Sequence, residues 1–284
     1  MPVIRRVIAG LLLAALVPAL AADPAGAKGE FLEVRGSRLF VEVAGGGRPI
    51  VFLHGGLHYF DNSFAQQRDD FARSNTVIGI DQRGHGHSPD NARPFEYRDM
   101  AEDTAEVIRL LRVGPVDVVG HSDGANVALI LARTNPELVR RLVISGANLR
   151  SGLAPDVLRA RQGWSEEQLA EFLKKLEQSL PPNFRSEYQA VTPDGPGHWD
   201  VVLAKSYRLW LTPVVFDPAD LPSIRSPVLV IAGDKDFTSI EETTEIYRGL
   251  RKARLFIVPG TGHATFSDRP ELVDLAIRDF LDAP

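Results

Sequence analysis

The sequence predicts an α/β fold: a mostly parallel, eight-stranded sheet flanked by helices and carrying a helical cap insertion. Two observations point to the sheet. Short β-rich runs alternate with helical patterns along most of the chain, as they do when each strand is followed by a helix that packs back on it. Several of those runs are apolar throughout instead of alternating, which strands buried on both faces require. A third observation, one long interruption of the alternation at residues 150–222, marks the cap.

Taken in order, the strand-like runs are Phe31 to Val34, Leu39 to Val43, Ile50 to Leu53, Val77 to Ile80, Val116 to Val119, Leu142 to Ile144, Val228 to Ile231 and Leu255 to Val258. Between them, Met100, Thr104, Val107, Ile108 and Leu111 recur at the helical period, as do Val273, Ala276, Ile277, Phe280 and Leu281. The segment from Ala125 to Ala132 is apolar nearly all round, so its helix is expected to be buried. In the interruption, helix formers crowd Glu166 to Leu180, followed by Pro181-Pro182 and a turn-rich stretch from Thr192 to Gly197. All three tryptophans, Trp164, Trp199 and Trp210, lie there. They read either as the packing of a small helical subdomain or as the aromatic lining of a lid over an apolar substrate. The expected layout is a core of residues 22–149 and 223–284 enclosing a cap of residues 150–222.

With 284 residues, 44% of them hydrophobic and 24% charged, the chain can bury a sizeable core, and its composition excludes disorder. Residues 1–21 read as a secretory signal: Arg5 and Arg6 form a basic start, Val7 to Leu20 is apolar, and Ala19-Leu20-Ala21 offers a small-x-small cleavage site. The expectation is an exported protein, periplasmic or secreted, with no stable membrane association once the signal is removed. An uncleaved anchor is the alternative, though the apolar run of 14 residues is short for a bilayer. Loss of Arg5 and Arg6 takes the net charge from −5 to −7, and such an acidic body has no electrostatic case for binding nucleic acid. Cysteine is absent, which excludes a thiol enzyme and leaves serine as the strongest candidate nucleophile.

The chemistry centres on Gly120-His121-Ser122-Asp123-Gly124, which follows an apolar run and precedes a helix-forming one. A serine hydroxyl is lifted clear of a sheet edge only on a tight strand-to-helix turn, and that turn needs glycine two residues before and two after it. Ser122 is therefore the candidate nucleophile. A serine nucleophile needs a base, and the base needs an orienting group. Gly233-Asp234-Lys235-Asp236 follows the seventh strand-like run and Pro259 to His263 follows the eighth, both at the strand ends where Ser122 also sits in a parallel sheet.

These motifs together resemble a lidded member of the α/β-hydrolase superfamily, over essentially all of residues 31–284. The resemblance rests on His54-Gly55-Gly56-Leu57, on the run from Asp81 to Ser88, on the Gly-x-Ser-x-Gly turn, and on Asp236 with His263. It implies a Ser122, Asp236, His263 triad, with Asp236 preferred over Asp234 because the family's acid usually follows the glycine by three residues. An acid after the sixth strand, used by some relatives, is disfavoured because that loop reads Ser145-Gly-Ala-Asn148. The resemblance also implies an oxyanion hole made by the backbone N–H groups of Gly56, or less favourably Leu57, and of Asp123. The Asp123 carboxylate itself reads as a complement to the helix dipole.

Of the other histidines, His54, His85, His87 and His121 read as structural members of turn motifs. His58, with Leu57, is a candidate for the substrate pocket, as are the three tryptophans, and His198 sits beside Trp199. No His-x-x-x-His spacing suits a zinc site, so no metal or other cofactor is expected. The expected partner is a small-molecule ester or lactone. A serine nucleophile speaks against related haloalkane dehalogenases and epoxide hydrolases, which use aspartate. The alternatives are an aminopeptidase or amidase, a carbon–carbon bond hydrolase on the same triad, or a non-catalytic small-ligand-binding protein that keeps the fold.

Overall fold

A computed structural model describes residues 28–284 apart from Gly152. The expected signal, residues 1–21, lies outside the described residues. The chain folds in the order β1 (Lys28–Val34), β2 (Ser37–Gly45), β3 (Arg48–Leu53), α1 (Phe60–Phe71), β4 (Asn75–Ile80), α2 (Tyr97–Leu111), β5 (Val116–His121), α3 (Asp123–Thr134) and β6 (Val139–Ser145). Then come α4 (Pro155–Gln162), α5 (Glu166–Ser179), α6 (Asn183–Val191) and α7 (Trp199–Trp210), followed by β7 (Val228–Gly233), α8 (Ile240–Gly249), β8 (Ala253–Val258), α9 (Thr265–Asp268) and α10 (Pro270–Asp282).

Eight strands form one sheet in the order β1-β2-β4-β3-β5-β6-β7-β8. The first two pairings, β1 with β2 and β2 with β4, are antiparallel, and the rest are parallel. The all-apolar runs are explained by the pleat. Val51, Leu53, Val118, Leu142 and Ile144 point to one face, where they meet α2 and α3, while Ile50, Phe52, Val119, Val143 and Ile231 point to the other. There they meet Phe60, Phe64 and Phe71 of α1 and Val273, Ile277 and Phe280 of α10. Helix α3 is buried along most of its length, from Gly124 to Ala132.

The interruption between β6 and β7 holds α4 to α7, a helical insertion where the sequence leads one to expect the cap. Its two connections to the core run side by side: Arg150 bridges Val214, and the N–H groups of Val215 and Phe216 donate to the Leu149 carbonyl at 2.8 and 3.2 Å. Among the described residues no helix is long and apolar enough to cross a membrane.

Candidate active site

Strand β5 passes into α3 through a single residue, Ser122, with φ +54° and ψ −120°. A non-glycine residue pays for this conformation, so the surroundings must enforce it. They do so with hydrogen bonds on both sides: the Ser122 N–H donates to the Ser145 carbonyl of β6 at 2.8 Å, and its carbonyl accepts from Ala125 and Asn126. The flanking glycines are there for want of space. A Cβ on Gly124 would stand 2.0 Å from the Leu53 carbonyl oxygen of β3, and one on Gly120 would stand 2.4 Å from the Gly124 carbonyl oxygen.

The loops after β7 and β8 bring Asp236 to His263. The buried Asp236 Oδ1 accepts from His263 Nδ1 at 2.8 Å and from the Thr238 N–H at 2.9 Å. A carboxylate only accepts, so the imidazole proton sits on Nδ1 and the Nε2 lone pair is left. That Nε2 is buried and has no hydrogen-bond partner. His121 Nε2 donates to the His263 carbonyl at 2.9 Å, and the two rings lie 4.9 Å apart. On the solvent side Phe237 lies over the His263 ring, with centroids 4.1 Å apart, while itself 80% exposed. The loop after β6, which carries no acid, instead packs Gly146 (φ +65°) against the imidazole: a Cβ there would stand 2.6 Å from His263 Cε1. Asp234 is used elsewhere, its Oδ1 accepting from the Gly260 N–H at 2.8 Å.

The loop after β3 lies against Ser122: a Cβ on Gly55 would stand 3.2 Å from Ser122 Cβ. His54 anchors it: the Gln82 N–H donates to His54 Nε2 at 2.9 Å, so Nδ1 carries the proton and donates to the Gly55 carbonyl at 2.8 Å. Burial pushes the His54 pKa down to about 4, so this link is a neutral imidazole. Leu57 takes φ +63° and its side chain is buried in the core. Among the described residues, neither the Gly56 N–H nor the Asp123 N–H donates to another group of the protein. His58 sits against Phe184 of α6, ring centroids 4.5 Å apart, with a buried Nδ1 that has no partner. Burial pushes its pKa down to about 4 as well.

The Asp123 side chain does more than complement a helix dipole. Its Oδ1 accepts from the Tyr97 hydroxyl at 2.6 Å and its Oδ2 from Trp210 Nε1 at 2.9 Å. Burial raises its pKa above the ordinary carboxylate value. Trp210 is thus the tryptophan that meets the site, at the end of α7. Trp199 is buried against Tyr188 and donates to Glu177, and Trp164, half-buried in the loop between α4 and α5, packs on Phe172 and Tyr207. His85 donates to the Arg83 carbonyl, His87 pairs with Asp81, and His198 pairs with Asp90. Sequence reasoning had no signal for Tyr97, which stands in no motif, nor for Phe184. Phe237 had one, its position directly after Asp236.

Among the described residues no group of three or more His, Cys, Asp or Glu side chains is placed to hold a metal ion. Beyond the geometry, the profile described as the Alpha/beta hydrolase family matches residues 50–274. The chain belongs to the alpha/beta hydrolase family. This hydrolase is 30% identical over 266 residues to a 2-(acetamidomethylene)succinate hydrolase of Mesorhizobium japonicum, a match covering 86% of this chain and 92% of the relative. It is 27% identical over 257 residues to an sn-1-specific diacylglycerol lipase of Mus musculus, covering 82% and 78%. Among solved structures it is similar to an N-acyl homoserine lactone degrading enzyme, with a TM-score of 0.71 and 25% identity over 88% of this chain and 100% of that one.

Proposed function

We propose that this alpha/beta hydrolase cleaves small, uncharged carboxylic esters or lactones through an acyl-enzyme on Ser122. Two observations support the reading: the strained Ser122 corner, next in the chain to His121, whose ring bonds the His263 carbonyl, and the Asp236–His263 pair, whose Nε2 lone pair is uncommitted. In this reading Ser122 Oγ attacks the substrate carbonyl carbon and its proton passes to His263 Nε2. The oxygen that gains the negative charge accepts from the Gly56 and Asp123 N–H groups. The His263 imidazolium, held by Asp236, then protonates the departing alcohol. Water repeats the sequence: His263 takes its proton as its oxygen attacks the acyl carbon, and the acid leaves Ser122.

The electrostatics favour an uncharged substrate. Ionisable groups near Ser122 include the Asp123 and Asp236 carboxylates, the Tyr97 hydroxyl and the imidazoles of His54, His58, His121 and His263. Burial pushes three of those imidazoles down, His54 and His58 to about 4 and His121 to about 3, so these three carry no charge at neutral pH. Among the described residues no Lys or Arg side chain forms a hydrogen bond or ion pair with any of these groups. A carboxylate brought here would lose its hydration without a cation to replace it. The succinate named for the Mesorhizobium relative therefore does not carry over to this chain.

A fluorophosphonate probe should label the protein stoichiometrically at Ser122, and Ser122→Ala should lower turnover of p-nitrophenyl butyrate by about four to six orders of magnitude. An unlabelled protein would favour the ligand-binding alternative. In a panel of p-nitrophenyl esters, lactones, aminoacyl amides and a hemisuccinate monoester, neutral esters or lactones should turn over at least tenfold faster than the hemisuccinate. Preference for the hemisuccinate or for the amides would replace the substrate class. We also propose export, on the pattern of residues 1–21. N-terminal sequencing of the mature protein should then begin at Ala22, and a retained Met1 would refute it.

A further inference from the structure

The two N–H groups assigned to the oxyanion belong to residues that are physically clasped. The Asp123 carboxylate is the clasp: its Oδ2 lies 2.4 Å from where a Cβ on Gly56 would stand, and Trp210 Cζ2 lies 2.9 Å from the same point. One side chain thus spans both donors, since it grows from the residue that supplies one N–H and packs against the residue that supplies the other. Its own position is set from two directions. Tyr97 is the first residue of α2 and belongs to the core; Trp210 is the last residue of α7 and belongs to the cap. The next turn of α3 makes a parallel connection to the other end of the cap. Asn126 Nδ2 donates to Asn148 Oδ1 at 2.9 Å, the Asn148 N–H donates to Asn126 Oδ1 at 3.0 Å, and Asn148 Nδ2 donates to the Arg150 carbonyl.

The carboxylate also presents an electrostatic problem to a reaction that builds negative charge beside it. Two like charges in a partly dehydrated site repel strongly. Two donors, a hydroxyl at 2.6 Å and an indole N–H at 2.9 Å, each take one of the two carboxylate oxygens. They draw its charge toward themselves and hold it in one rotamer.

We propose that Tyr97 and Trp210 are positioning residues for catalysis, acting through Asp123 to hold the oxyanion-binding N–H pair in register, so that the cap completes the hole by its seating on the core. The inference rests on the reading of Ser122 as nucleophile. It places the cap's catalytic contribution at one hydrogen bond, separate from whatever cap surface touches substrate.

The test is a double-mutant cycle on p-nitrophenyl butyrate turnover. Trp210→Phe and Tyr97→Phe keep the ring and lose the donor; each should lower kcat by about tenfold with KM within twofold, because the interaction matters where charge develops and not in ground-state binding. In an Asp123→Asn background, which has no charge for the donors to hold, adding Trp210→Phe should cost less than twofold further. Thermal melts and far-ultraviolet circular dichroism check that each variant is folded, and fluorophosphonate labelling checks Ser122. If Trp210→Phe is folded and labelled but keeps its kcat, the proposal is overturned, and it is overturned equally if KM alone rises or if the loss is undiminished with Asn at position 123. If the parent protein itself resists the probe, the reading of Ser122 falls and this inference with it.

Discussion

Ser122 combines a strained backbone with a half-buried side chain, and the strain has a measurable consequence. A residue with a Cβ at φ +54° and ψ −120° costs on the order of 1–3 kcal/mol relative to glycine, which visits this region freely. Ser122→Gly is therefore expected to be more stable than Ser122→Ala, by about 1 kcal/mol in denaturant titrations, both being inactive under the proposed function. Equal stability would mean that the neighbouring hydrogen bonds, and not the residue, carry the conformation. At this scale the sequence was legible where the cause is local. The need for Gly120 follows from a contact of 2.4 Å to the Gly124 carbonyl oxygen within the turn itself, whereas the space denied to a Cβ on Gly124 is taken by the Leu53 carbonyl of the neighbouring strand at 2.0 Å. The choice between Asp234 and Asp236 is of another kind. They are two residues apart in one loop, and only the path of that loop past β8 turns one toward the Gly260 N–H and the other toward His263.

Between elements, the cap is fastened to the core by charge as well as by Trp210. Asp90, buried in the loop between β4 and α2, accepts from Lys205 Nζ of α7 at 2.6 Å, from His198 Nε2 at 3.1 Å and from Arg83 Nη1 at 3.2 Å. Its own N–H donates to Asp194 Oδ2 at 2.8 Å. Removing the acid leaves the buried Arg83 guanidinium and the Lys205 ammonium without their shared anion, a change that costs about 3–5 kcal/mol when a buried pair loses one partner. Asp90→Ala should lower the unfolding free energy by about 3 kcal/mol and open the α5–α6 segment to limited proteolysis while the core resists. A loss below about 1 kcal/mol with unchanged proteolysis would show that the cap is seated by apolar packing alone. The sequence placed Arg83 within the run from Asp81 to Ser88, and its guanidinium also donates to the Arg93 and Pro94 carbonyls. It held no sign of Lys205, because a contact across 115 positions leaves no spacing pattern.

For the molecule as a whole, the buried imidazoles set how stability depends on pH. The pKa values of His54, His58 and His85 are pushed to about 4 and that of His121 to about 3, burial being the largest cause in each. In the unfolded chain they return to about 6.5, so between about 6.5 and 4 the unfolded state binds more protons than the folded one. Stability from these groups is complete above about 6.5 and is lost as pH falls through that window. Asp274, pushed up to about 6 by burial, acts in the opposite sense, since its folded form takes a proton before its unfolded form does. Glu42, Asp103, Asp117, Asp123 and His87, also pushed up, act in the same sense as Asp274. The groups whose unfolded values fall between pH 7 and pH 5 are the imidazoles, four depressed against one raised, so the melting temperature should fall over that interval. A melting temperature that rises over that interval would contradict the burial of these rings.

The chain's own pattern determined the strand runs, the tight turn at Ser122 and a helical insertion between β6 and β7, because side-chain periodicity and steric crowding act over a few residues. The antiparallel start of the sheet and the placing of β3 between β4 and β5 were not readable, since strand order follows from crossovers and not from the runs themselves. The three tryptophans show the same division. Composition put all of them in the cap, with nothing to rank them, and two proved to fill it. Only the seating of α7 on the core brought the third across 87 positions to Asp123, because a hydrogen bond between distant segments is decided by how packed elements meet.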